Sequence, residues 1–205
     1  MNLNLSHSPL NWFDLLVVIT ILLGIRQGRK AGMSVEMMST LQWICIVAAG
    51  AFLYRPFGDA LADTSPMSHL FCYIAVYIII AALVKGIFSM IKKGTGGKLA
   101  GSDVFGRGEY YLGMVAGAVR FLCILLAGLA LLNAPFYSTA ELAKSKAFQV
   151  EVYGSNFFPG LGAAQVQIFK ESFLGSLLKN NAEFLLIAST KPESKEIKKK
   201  KDDLP

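Results

Sequence analysis

The sequence predicts an all-α membrane protein with four transmembrane helices, a C-terminal amphipathic helix and a disordered basic tail. Three observations lead there. Of the 205 residues, 54% are hydrophobic and 17% charged, against about 45–50% and about 25% in soluble domains. The charges are also unevenly placed. No Asp, Glu, Lys or Arg stands between Met37 and Tyr54, between Thr64 and Val84, or from Phe121 to Ala140, and each run approaches the roughly 20 residues that cross a bilayer core. Third, the stretch LAGSDVFGRGEYYLGMVAGAVRFLCILLAG (Leu99–Gly128) sets Arg120 deep in lipid-facing sequence. A soluble helix would turn such a side chain to water, whereas in a bilayer it needs a reason to be there.

The first span is expected over residues 10–26, LNWFDLLVVITILLGIR, with Asp14 near the interface. No Lys or Arg precedes Arg26 and GIRQG is a poor cleavage site, which argues against a cleaved signal peptide. The second span is expected over residues 34–54. One continuous helix from Trp12 to Tyr54 would run about 64 Å at 1.5 Å per residue, twice the bilayer core of about 30 Å. The chain must therefore turn back at GIRQGRKAG. The polar stretch RPFGDALADTSPMS leads to a third span over residues 69–90, and IKKGTGGKLAGSDVFGRGE to a fourth over residues 112–136. Residues 1–140 thus form the transmembrane domain.

Orientation follows from Lys and Arg in the short connections. The segment before the first span has none. The first loop carries Arg26, Arg29 and Lys30, the second only Arg55 beside Asp59 and Asp63, and the third Lys85, Lys92, Lys93, Lys98 and Arg107. This alternation puts the first and third loops in the cytoplasm and the N-terminus outside, and four spans put the C-terminus outside as well. Trp12, Tyr54, Phe57, Phe136 and Tyr137 then gather near the outer interface, as an aromatic belt does.

Residues 141–190 read as an extramembrane segment. In AAQVQIFKESFLGSLLKNNAEFLL, Val166, Phe169, Phe173, Leu174, Leu177 and Leu178 recur every three or four residues, with Lys170, Glu171, Lys179 and Asn180 on the other side. One amphipathic helix is expected, either flat on the membrane or packed on the bundle or on another copy. Residues 191–205, rich in Lys, read as a disordered tail.

Little suggests chemistry. Cys45, Cys72 and Cys123 lie in separate apolar runs, so neither a disulfide framework nor a zinc site is expected, and His7 and His69 stand in polar connections. GTGGKL (Gly94–Leu99) lacks the spacing of a phosphate loop, and no GxSxG, HExxH or Ser/His/Asp grouping occurs. No cofactor, no metal and no enzymatic activity are expected.

The distinctive pattern is glycine. Gly24, Gly28 and Gly32 are spaced four apart and followed by Glu36; Gly113 and Gly117 repeat the spacing and are followed by Arg120. Such spacing lets two membrane helices approach closely. Arg120 would lie about 10 Å inside a helix beginning at Gly113, and Glu36 enters the second span from the same side at similar depth. The expectation is that the two face each other across the glycine contact.

At these residues the sequence resembles the colicin V production protein (CvpA) family of bacterial inner-membrane proteins. The shared pattern is Trp12-Phe13-Asp14 before the first span, then Gly24, Gly28, Arg29, Gly32, Glu36 and Trp43. A small/Gly–Asp turn ending at Asp103 follows, and then Gly113-x-x-x-Gly117-x-x-Arg120. The resemblance covers about residues 10–150. Two features depart from the pattern: a longer interval between Asp103 and Gly113, and Phe121 where a glycine often follows the arginine. The resemblance implies a four-span protein that supports production or export of a peptide toxin, or more broadly the cell envelope. The first functional expectation is a non-enzymatic scaffold or partner subunit. The second, from a different class, is a small oligomeric channel or transporter with Arg120, Glu36 and Asp103 along the pathway. Expected partners are the lipid bilayer and other proteins or further copies of the chain, not nucleic acid.

Overall fold

The computed structural model describes residues 11–99, 106–138, 142–144, 147–148 and 160–190, and side chains within these except 95–99 and 107. Four long helices make the body: α1 (Trp12–Ala31), α2 (Met33–Thr64), α3 (His69–Leu99) and α4 (Glu109–Asn133). Beyond them come α5 (Leu161–Val166), one π-turn (Gln167–Glu171), α6 (Phe173–Ala182) and a 3-10 turn (Glu183–Leu185).

Helix α1 starts in a reciprocal cap: the Asn11 side chain accepts from the first turn, and the Asn11 amide donates to Asp14 Oδ2 at 3.1 Å. This closes orphan amides at the helix start. It ends at Gly32, the single residue between α1 and α2, whose φ of 77° suits glycine. The turn expected at GIRQGRKAG is therefore one residue long, with Arg26, Arg29 and Lys30 still on α1 rather than in a loop.

Helix α2 runs past its expected end at Tyr54, through Pro56 to Thr64. Proline removes one helical hydrogen bond, but packing from α3 supports the continuation. Gly58 sits against the Tyr73 ring, and the Tyr73 hydroxyl donates to Asp59 Oδ1 at 2.5 Å. Helix α3 likewise extends beyond residue 90 into the glycine-rich stretch expected to be a turn.

The packing order differs from the chain order. α2 and α3 form an antiparallel hairpin, while α4 packs on both α1 and α2, which touch each other little. Ser34 meets Glu109 and Thr40 meets Ala116, so α2 and α4 run parallel, whereas Gly24 faces Gly117 and Gly28 faces Gly113, so α1 runs antiparallel to α4. The core between the helices includes Phe13, Val17, Val47, Tyr54, Tyr77, Cys123, Ala127 and Ala130. The outer surface is apolar: Leu15, Leu16, Ile19 and Leu23 on α1, and Phe71, Ile78, Ile79, Leu83 and Ile87 on α3, are all exposed. So large an apolar surface needs a cover.

Residues 160–190 close one end of the bundle. Where one amphipathic helix was expected, the extended backbone of Ser172 (φ −87°, ψ 144°) separates the π-turn from α6. The break changes the helical phase. Ile168 and Phe169 are buried and Leu174 and Leu178 pack on the core, but Phe173 and Leu177 turn outward. Packing, not periodicity alone, selects the buried face. The expected basic tail, residues 191–205, lies outside the described residues.

Candidate functional site: a buried ion pair beside a glycine seam

The seam between α1 and α4 is made of backbone. A Cβ on Gly24 would lie 2.7 Å from the Gly117 carbonyl oxygen, one on Gly113 2.5 Å from that of Gly28, and one on Gly28 would overlap the Gly113 carbonyl. Only glycine fits at this separation. Of the five glycines singled out by spacing, four are thus brought together as two facing pairs, and Gly32 makes the turn between α1 and α2.

At the end of the seam the structure builds a polar junction. Gly32 leaves α2 starting in contact with α4, and Glu109 Oε1 accepts the Ser34 amide at 2.6 Å. A carboxylate there satisfies an orphan N–H and lies favourably at the helix dipole. One turn further, Glu36 is buried, its side chain 3% exposed. Arg120 reaches it from α4: Nε lies 2.9 Å from Glu36 Oε1 and Nη1 donates to Oε2 at 3.2 Å. The Nε approach is a charge contact, while the Nη1 bond carries the direction. Long helical side chains lean towards their own N-terminus, and so Arg120, deeper along α4, descends to meet Glu36. Its guanidinium also rests 5.1 Å from the Phe121 ring centroid.

Neighbouring polar groups complete the junction. The Thr40 hydroxyl is within 3.0 Å of both the Glu36 and the Ala116 carbonyls, joining α2 to α4. From α3, Lys92 Nζ donates to Gln42 Oε1 at 2.9 Å and Ser39 Oγ at 3.2 Å. A buried ion pair breaks even only when its geometry and remaining hydrogen bonds are good.

The other singled-out residues separate. Asp14 lies at the opposite end of the bundle, buried, where its carboxylate accepts the Ser172 hydroxyl and the Phe173 and Leu174 amides. Arg29 is exposed on α1, outside the seam. Asp103 lies outside the described residues. Glu109, Thr40 and Lys92 were not legible as site residues. Glu109 does carry one local signal, an acidic residue at a charged-to-apolar boundary, but its partner is 75 positions away. Among the described residues no three His, Cys, Asp or Glu side chains group as metal ligands would.

Three helices, Met33–Thr64, His69–Gly94 and Glu109–Asn133, are long and apolar enough to cross a membrane. With apolar side chains outside and the Glu36–Arg120 pair within, they define a multi-pass helical membrane protein. The sequence model described as Colicin V production protein matches residues 13–156. The chain belongs to the colicin V production protein family. No curated protein and no solved structure matches it significantly.

Proposed function

We propose that this chain serves the bacterial inner membrane as a non-enzymatic scaffold or partner subunit, supporting colicin V-type toxin production and export or cell-envelope homeostasis. One observation carries the reading. The buried charged groups hold helices together, Glu36 with Arg120 and Asp14 with the start of α6. A catalytic or conducting protein would aim such groups into a cavity.

On this reading α1 is a fourth span. It lies antiparallel along α4 and presents an apolar outer face. The end carrying Arg26, Arg29, Lys30 and Lys93 faces the cytoplasm. The end closed by residues 160–190 faces outward, with both termini.

The test has two arms. In a bacterium that exports a colicin V-type peptide and lacks its own family member, expression of this chain restores export or resistance to envelope stress, and Glu36→Arg abolishes the rescue. Purified chain in liposomes passes no ions. Ion flux lost in Arg120→Ala would replace the scaffold reading with the oligomeric channel.

A further inference from the structure

Beside the glycine seam, on the outer side of α1 and α4, runs a groove of about 830 Å³. Its rim is Arg26, Arg29 and Lys30 from α1 with Tyr110 and Tyr111 from α4. Its floor is Leu22 and Ile25 from α1 with Met114 from α4. The α1 residues recur at three- and four-residue spacing, so one helix face supplies them all. The three cations are exposed and have no acidic partner among the described residues. Of the Glu109 carboxylate, Oε1 accepts the Ser34 amide and Oε2 is buried, so neither oxygen pairs with these cations.

The order of chemistry along the groove is informative. From Lys30 back to Leu22 the α1 wall passes from cationic to apolar over about 12 Å. From Tyr110 to Met114 the α4 wall passes from aromatic to aliphatic in the same direction, because α4 begins at this end. Cations and tyrosines therefore sit at the membrane surface, and aliphatic side chains one to two turns deeper. A free phosphate would use the rim and leave the floor bare, whereas an acyl chain would use the floor and leave three cations unanswered.

We propose that this groove binds one anionic phospholipid, its phosphate held by Arg26, Arg29 and Lys30 and its acyl chain laid along Leu22, Ile25 and Met114. Arginine suits the phosphate because its planar fork donates in pairs, and exposed tyrosines suit the headgroup level. The occupied groove covers the outer flank of the α1–α4 contact, so the lipid acts as a strap on the seam.

The full chain is reconstituted in phosphatidylcholine vesicles containing a minor fraction of phosphatidylglycerol, and retained lipid is counted by native mass spectrometry. The expected result is one phosphatidylglycerol per chain. The triple variant Arg26→Gln, Arg29→Gln, Lys30→Gln weakens retention at least about tenfold, the scale set by several basic groups at an anionic surface. The variant Lys93→Gln removes an exposed cation from the same end but outside the groove, and stays within about twofold of the parent. Circular dichroism checks that each variant keeps its helices. Equal losses in the two variants would reduce the effect to general surface charge and overturn the proposal. Retention of phosphatidylcholine to the same extent would overturn it, and so would displacement of the lipid by millimolar inorganic phosphate.

Discussion

Asp14 closes the start of a helix that lies far along the chain, with Ser172 as the hinge: Oδ1 of Asp14 stands 3.1 Å from Ser172 Oγ and 3.0 Å from the Leu174 amide. Ser172 in turn caps its own helix by accepting the Gly175 amide, so the two side chains together serve three successive orphan amides, those of Phe173, Leu174 and Gly175. Asp14→Ala should release α6 from the bundle. Loss of a capping side chain costs about 0.5–2 kcal/mol, and amide exchange should rise over residues 173–178 while α2 and α3 stay protected. Unchanged exchange there would mean that apolar packing, not Asp14, holds the end cap.

The Glu36–Arg120 pair is expected to be strongly non-additive. Glu36→Leu or Arg120→Leu alone leaves a charge buried without its partner, at a cost of about 3–5 kcal/mol. The double variant Glu36→Leu, Arg120→Leu removes both charges and should unfold at a higher temperature than either single variant. Thermal unfolding in detergent completes the cycle. Simple addition of the two single losses would mean that the pair contributes nothing as a pair.

Glycine substitutions should divide by location. Gly28→Ala forces a Cβ into the Gly113 backbone, and overpacking of this kind costs about 1–3 kcal/mol or more. Gly86→Ala on α3 meets nothing within 4 Å and should be neutral or stabilising by up to about 1 kcal/mol through helix propensity. The same unfolding assay reads both. Equal tolerance at the two sites would remove the close-packed seam.

Orientation has a direct check. A membrane-impermeant maleimide added to whole cells should label Asp63→Cys at the end of α2, and should label Lys93→Cys only after the inner membrane is opened. Cys72 and Cys123 are buried and Cys45 lies within α2, so the native thiols contribute little signal. The reverse pattern would invert the proposed topology.

Much of this architecture is readable from residues alone because membranes impose a coarse rule. Backbone groups in lipid must be satisfied within their own helix, so charge-free runs about 20 residues long announce α2, α3 and α4. The glycine spacings were equally legible, since close backbone approach leaves a residue that cannot be replaced. So was the pairing of Glu36 with Arg120: a charge at that depth needs an opposite one, and few candidates existed. Helix ends were less legible. The polar stretch RPFGDALADTSPMS argued for a stop after Tyr54, yet α2 continues through Pro56 to Thr64, where contacts from Tyr73 outweigh one missing hydrogen bond.

Composition, glycine spacing and the placement of rare charges by themselves determined a helical membrane protein and named the two residues that meet inside it. Tertiary structure alone decided that α4 lies between α1 and α2, that Glu109 caps α2, and that Asp14 receives α6. These depend on contacts between positions 75 to 160 residues apart, where no local periodicity carries information. The break at Ser172 belongs with them. A helix whose spacing allows either of two apolar stripes to be buried takes the one its neighbours can receive.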